Sequence, residues 1–410
     1  MKPLLLNTLD IEGGAARAVY RLHEGLKKIN VSSNMLVQRK ASDDTTVFGP
    51  KNKVENFRNS MQPKLDGLPK KLYRNIDKKP WHASWVPSSV HKQIQELNPE
   101  IVHLHWVCGG FLPIESISRI NKPMVWTLHD MWPFTGGCHY SGECTKYQQQ
   151  CGACEQLGSN KMNDLSRKVW NRKAKAFHNK NITIVTPSKW LADTAKSSSL
   201  FNGLRVEVIP NGLDTNIYNP IDKQQARSIL NLPLDKKLVL FGAMSSTSDE
   251  RKGFQYLKPA LENFSRLDES NDAELIVFGA STPKNPPNLG LKTTYVGRVY
   301  DDITLALYYS AADVMCVPSI QEAFGQTASE AMACGTPVVA FGATGLLDIV
   351  DHKVNGYLVK PFDPIDFSQG LRWALSTNEK INKAAVQKVE SKFKLETVAN
   401  QYLQLYKELI

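Results

Sequence analysis

"QEAFGQTASEAMACGTPVVAFGATG", residues 321–345, holds a loop, a helix start, a stop and an apolar run in that order. Thr327-Ala-Ser-Glu330 has the form of a capping box and predicts a helix beginning near Thr327. Gly335 and Pro337 end that helix, and "PVVAFGA" behind them reads as a short strand. One helix followed by one buried strand is half of a βαβ unit, so the fold depends on whether the pattern repeats. Capping accounts for Glu330 but leaves Glu322, on the other side of Gly325, unexplained.

The pattern does repeat. Upstream of this stretch "KLVLFGAM", "ELIVFGAS", "TTYVGRV" and "DVMCVPS" are short apolar or β-branched runs separated by helical or polar segments. An earlier series opens the chain: an apolar run at Pro3 to Leu6, the Gly13-Gly14 break, and Val19, Leu22 and Leu26 at helical spacing. "NVSSNMLVQ", "IVHLHW", "MVWTLHD", "NITIVT" and "RVEVIPNGLD" follow. Alternating strands and helices predict parallel sheets covered on both faces, with ligands at the carboxyl ends of the strands. Two such series, joined near residues 210 to 225, predict two Rossmann-like domains facing across a cleft: 1–208, and 209–390 with a helical segment 391–410 returning to the first.

The chain has 410 residues, enough for two ordinary cores. Its net charge of +10 is unevenly held. Residues 1–200 carry 29 Lys and Arg against 16 Asp and Glu, whereas the remainder carries 21 against 24. No helix-turn-helix, zinc-finger or RNA-recognition signature accompanies the basic half, so nucleic acid is not the expected partner. An anionic membrane surface or a phosphorylated acceptor suits it better. No apolar run reaches membrane-spanning length, and "MKPLLLNTLDIEGG" lacks the form of a signal peptide. A cytoplasmic protein, at most peripheral at the inner face of the membrane, is expected.

Taken in order, "GG" at 13–14, "TLHD" at 127–130, "TPSKWL" at 186–191, "IPNGLD" at 209–214, "RKG" at 251–253 and the pair Glu322-x7-Glu330 resemble retaining glycosyltransferases of family 4. "TLHDMWPFTGGCHY" is most similar to members that build bacterial extracellular or capsular polysaccharides. The resemblance implies the α/β GT-B fold, a nucleotide-diphosphate sugar such as a UDP- or GDP-sugar as donor, and the hydroxyl of a glycan or lipid-linked acceptor. It implies a metal-independent reaction with no cofactor required for catalysis. A nucleotide-sugar 2-epimerase and a non-catalytic nucleotide-sugar binder are the alternatives on the same fold.

The residues offer a group for each part of such a donor. Arg251 and Lys252, ahead of Gly253 at a helix start, can converge on a diphosphate with backbone N–H groups. Glu330 can accept hydrogen bonds from vicinal ribose hydroxyls, while Gly325 lets the backbone approach the phosphates and Gln326 and Thr327 present N–H groups. The resemblance assigns Glu322 to the donor sugar and places His129 against the sugar and phosphates from the opposite domain. Lys252, Glu322 and His129 are therefore the expected catalytic groups. The resemblance further implies that Gly13 and Gly14 shape a loop near the diphosphate or acceptor, and that Arg298 and Val299 frame the base. Family members carry an arginine directly after the glycine that ends the preceding strand; here Ala243 follows Gly242.

Two features lie outside this scheme. Cys138, Cys144, Cys151 and Cys154 fall within 17 residues, a spacing open to a four-thiolate structural zinc site, to reduced or redox-active thiols, or to disulfides, with His139 able to replace one thiolate. Residues 41–80 are an irregular, lysine-rich insertion in which Val54, Phe57 and Met61 share a helical face, with Leu68, Leu72, Tyr73 and Ile76 beyond. It reads as a solvated insert held to the core by these apolar groups, or alternatively as an amphipathic element for a membrane surface.

Overall fold

The computed structural model describes residues 1–242, 249–376 and 379–410. The chain forms two compact units, Met1–Pro210 with Val398–Ile410, and Asn211–Thr397. Ala243, the residue that stands where the family has arginine, lies outside the described residues.

The first unit is built on strands β1 (Pro3–Leu9), β2 (Asn34–Arg39), β3 (Val47–Phe48), β4 (Ile101–Leu104), β5 (Met124–Thr127), β6 (Ile182–Thr186) and β7 (Val206–Val208), in the order β3-β2-β1-β4-β5-β6-β7. Every pairing is parallel. β4, β5 and β6 are buried at every position, which is why their sequences are apolar runs rather than alternations. Strand order reverses between β1 and β4, so the loops leaving those strands diverge and open a binding crevice at their carboxyl ends.

Leu5, Val19, Leu22, Leu26, Met35 and Val125 form a core closed by the helix Leu395–Leu409 through Val398, Tyr402 and Tyr406. Two buried hydroxyl contacts fix that helix: Tyr406 Oη lies 2.6 Å from His103 Nδ1, and Tyr402 Oη 2.8 Å from Thr127 Oγ1. The helical segment expected over 391–410 is not continuous. It breaks between the helix Glu379–Lys392 and Leu395–Leu409, because Leu213 takes the place of the next helical turn. Leu213 N–H donates to Phe393 O at 2.8 Å, and Leu395 N–H donates to Leu213 O at 2.9 Å.

The insertion departs further from expectation. Lys53–Asp66 is a helix, capped by Asn52 accepting from Glu55 N–H, and Pro69–Leu72 is a short 3-10 turn. Its buried residues are Gln62 and Asp66, whereas Val54 and Phe57 point into solvent. Met61, Tyr73 and Ile76 are half-buried, but Val54, Phe57, Leu68 and Leu72 do not hold it to the core; polar contacts to the rest of the unit turn the opposite face of the helix inward.

The second unit repeats the topology with β8 (Lys237–Gly242), β9 (Ala273–Phe278), β10 (Lys292–Gly297), β11 (Val314–Val317), β12 (Val338–Phe341) and β13 (Gly356–Val359), all parallel in the order β10-β9-β8-β11-β12-β13. β13, only four residues of "GYLV", is too short to stand out by periodicity. One apolar cluster covers each face, one centred on Leu240, Met315 and Ala340, the other on Val239, Phe241, Cys316 and Val339. The switch in strand order falls between β8 and β11.

Candidate functional site

That switch point gathers the charged residues of the second unit. The chain leaving β8 reaches a 3-10 turn at Glu250–Lys252, and Gly253, with φ 75°, caps the helix Phe254–Phe264. A Cβ on Gly253 would stand 1.8 Å from Pro318 O, so only glycine lets the turn close against the loop that leaves β11. This approach brings residues 70 positions apart together: Lys252 Nζ donates to Glu322 Oε1 at 2.6 Å. Arg251 Nη1 lies 3.4 Å from Glu322 Oε2 and donates to Gln321 O at 3.0 Å. Ser319 Oγ adds a donor to Glu322 Oε1 at 3.0 Å. Burial by itself would raise the Glu322 carboxyl, but Lys252 and Arg251 outweigh it and hold it at about 2. Asp249 pairs with Arg251 Nη2 at 3.1 Å.

The sequence places each of these groups correctly in its loop but does not show that Glu322 and the two cations form one cluster. The signal was indirect. Parallel neighbours β8 and β11 must deliver the loops that follow them to the same edge.

Beyond Glu322 the expected capping box is absent. The helix runs Gln326–Ala333, and its N-cap is Gly325, with φ 114° and no side-chain cap. A Cβ at Gly325 would meet Leu346 Cδ2 at 2.6 Å, so steric fit rather than Thr327 sets the helix start. Thr327 and Gln326 remain half-buried at that end. Glu330 lies in the helix interior, 4% exposed, and accepts from Tyr309 Oη at 2.8 Å. Burial and the Glu330 carboxylate together push the Tyr309 hydroxyl well up, so it stays a donor. Arg298 stacks its guanidinium over Tyr300, 4.9 Å from the ring centroid, and Val299 packs partly buried on the core.

In the first unit Gly13, with φ 96°, caps the helix Gly14–Lys28 directly after β1. His129 follows β5, half-buried, and its Nε2 is 3.1 Å from His105 Nδ1 with the rings stacked at 24°. His103 lies beneath His105, 4.0 Å between centroids. Burial lowers all three imidazoles, His129 to about 4, so they are neutral at pH 7. His105 and His103 are thus a support for His129, a role the sequence did not show.

The four clustered cysteines are all free, with Cys151 buried and its Sγ accepting from Gly136 N–H at 3.1 Å. Both ring nitrogens of His139 are engaged outside the cysteine quartet. Its Nδ1 is 2.6 Å from Asp130 Oδ2 and its Nε2 2.7 Å from His82 Nδ1. Among the described residues, the groups whose donor atoms all lie within 4.8 Å of one another are His82, Cys108 and His139, and His23, Glu24 and Asp44. The cysteine quartet is not among them.

Glycosyltransferase Family 4 matches residues 12–217, and Glycosyl transferases group 1 matches residues 222–390. This chain belongs to glycosyltransferase family 4. The family 4 chain is 30% identical over 323 residues to a D-inositol 3-phosphate glycosyltransferase of Kribbella flavida, covering 75% of this chain and 71% of that protein. It is 32% identical over 241 residues to an uncharacterized glycosyltransferase of Methanocaldococcus jannaschii, covering 55% and 59%. The chain spans 59% to 62% of the length of three of the curated relatives it matches. Among solved structures, a sucrose-phosphate synthase from Thermosynechococcus elongatus matches at TM-score 0.69 and 22% identity, over 100% of this chain and 99% of that one. Anabaena Alr3699/HepE in complex with UDP and glucose matches at TM-score 0.65 and 17% identity over the whole of both chains. The two α/β units of the family 4 chain have the GT-B fold. No helix among the described residues is long and apolar enough to cross a membrane.

Proposed function

We propose that this protein transfers a sugar, with retention at the anomeric carbon, from a nucleotide-diphosphate sugar to an acceptor hydroxyl in polysaccharide synthesis. One observation carries the reading: Lys252, Arg251 and Glu322 meet at the switch point of the second sheet, where a doubly wound fold binds nucleotides. Family membership supports it, and a fold neighbour holding UDP and glucose favours a UDP-sugar donor.

The difficult step is departure of the nucleoside diphosphate, which gathers negative charge on the β-phosphate. Lys252 and Arg251 stabilise that charge as it grows. The Glu322 carboxylate keeps Lys252 oriented before the donor arrives and then shares its charge with the phosphate. Glu322 also aligns the donor sugar, and His129 contributes a further hydrogen bond to it. Gly325 and the N–H groups of Gln326 and Thr327 receive the diphosphate. Glu330, steadied by Tyr309, accepts from the ribose, and Arg298 and Val299 border the base. Gly13 and Gly14 cap a helix start that suits an anionic group of the acceptor. The leaving phosphate takes the acceptor proton, so no carboxylate nucleophile is required, and with Lys252 and Arg251 at the leaving group no metal ion is needed there. The basic first unit receives a lipid-linked acceptor as a peripheral protein at the cytoplasmic face of the membrane.

The experiment is a thermal-shift panel of UDP, GDP, ADP and their sugars, followed by product analysis with the stabilising donor. A nucleotide sugar that raises Tm and yields a glycosylated product supports the reading. Donor isomerised without an acceptor would replace it with an epimerase, and Glu330→Ala binding and turning over donor like the wild type would remove the ribose assignment.

A further inference from the structure

The helix Lys53–Asp66 is inverted. A helix on the surface of a soluble domain buries its apolar stripe and exposes its polar face. At 100° per residue, positions 54, 57, 61 and 65 fall within an arc of about 80°. Val54 is 77% exposed, Phe57 70% and Leu65 40%, and the stripe runs on into Leu68 at 45% and Leu72 at 83%. Facing the domain instead are Asn59, Gln62 and Asp66. Asn59 Nδ2 donates to Gln38 O at 2.9 Å, Gln38 Nε2 donates to Gln62 Oε1 at 2.8 Å, and Trp85 N–H donates to Asp66 Oδ1 at 3.2 Å. These buried polar contacts fix the orientation, because a half-turn of the helix would leave each of them unpaired.

Charge identifies the occupant. Lys53 and Lys64 flank the stripe on one side and Arg58 on the other, and Lys70 and Lys71 lie between Leu68 and Leu72. Residues 51–80 hold nine Lys and Arg against three acidic residues, one of which, Asp66, is buried. A second copy of this surface would meet it with like charge. Nucleic acid would use the cations but leave Phe57 and Leu72 in water. A bilayer of anionic lipid uses both, taking the apolar side chains below the headgroups and the cations at their level.

We propose that Lys53–Asp66 and the turn behind it are the surface by which this protein docks on an anionic lipid membrane, with Val54, Phe57, Leu65, Leu68 and Leu72 inserted. The inference rests on the peripheral reading above for its place in the reaction, but its test requires no turnover.

Full-length protein is sedimented with vesicles of phosphatidylcholine alone and of phosphatidylcholine mixed with phosphatidylglycerol, at low and high salt. The wild type binds the mixed vesicles and is released by salt. Val54→Ser with Phe57→Ser weakens binding about tenfold or more. Lys53→Gln, Arg58→Gln and Lys64→Gln together weaken it at low salt and flatten the salt dependence. These side chains are exposed, so both variants keep the wild-type Tm and the same thermal shift with the stabilising nucleotide. Equal binding to both vesicle types overturns the proposal, as does binding indifferent to the serine pair. A dimer in the absence of vesicles, lost with the serine pair, would assign the stripe to a second copy. If no nucleotide sugar is turned over while vesicle binding behaves as stated, the enzymatic reading fails and the docking surface stands.

Discussion

Lys252 Nζ and Glu322 Oε1 are 2.6 Å apart, although 70 residues separate them, because the loops leaving β8 and β11 emerge at the same edge of the sheet. Each side chain is mostly shielded, so their attraction is weakly screened. Lys252→Ala removes both the partner of Glu322 and a charge at the leaving phosphate. We expect kcat to fall about a hundredfold to a thousandfold with a smaller change in KM, measured by steady-state turnover of the stabilising donor. Lys252→Arg, which keeps the charge, should recover part of the loss; equal loss in both variants would restrict the role to geometry.

Glu322 and His129 make separable contributions to the acid limb of stability. Glu322 is held at about 2 against an ordinary 4.5, so its contribution is complete above about pH 4.5 and is lost as pH falls through about 2. His129, lowered by burial from 6.5 to about 4, contributes fully above pH 6.5 and loses that contribution as pH falls through about 4. Tm measured against pH should therefore fall less steeply than in the wild type below about pH 4.5 in Glu322→Gln, and between about pH 6.5 and 4 in His129→Gln.

Tyr309 Oη donates to Glu330 Oε2 from a fully buried ring. Tyr309→Phe keeps the ring and deletes one donor to a buried carboxylate. A loss of about 1–3 kcal/mol in urea unfolding is expected, together with weaker nucleotide binding by calorimetry. Glu330→Gln in the Tyr309→Phe background should recover stability but not nucleotide affinity, since the ribose hydroxyls lose their charged acceptor.

His105 Nε2 is buried and has no hydrogen-bond partner among the described residues. An orphaned buried N–H is rarer than an orphaned lone pair, so the His105 proton belongs on Nδ1, donated to His129 Nε2. His129 then carries its own proton on Nδ1. Nitrogen-labelled histidine NMR should show that tautomer in the wild type and the other one in His105→Leu. Turnover in His105→Leu should fall about tenfold, with His105→Asn, whose amide can donate in place of Nδ1, recovering part of it.

Much of the fold was legible because buried parallel strands can only be apolar runs: "KLVLFGAM", "DVMCVPS" and "PVVAFGA" announce β8, β11 and β12 whatever surrounds them. The candidate loops were legible for the same reason, since polar residues after such runs must lie at strand ends. Thr327 and Glu330 mislead because a capping box is a local pattern, whereas Gly325 starts the helix through its fit against Leu346. The sequence by itself determined two α/β units, the basic first half and the residues at each strand end. Tertiary structure alone decided which of them meet, because contact between Lys252 and Glu322, or between His105 and His129, depends on strand order. It also decided which way the helix Lys53–Asp66 faces. Its own periodicity would bury Val54 and Phe57, but Gln38 and the Trp85 amide, from elsewhere in the unit, draw its polar side inward and leave the apolar stripe to solvent.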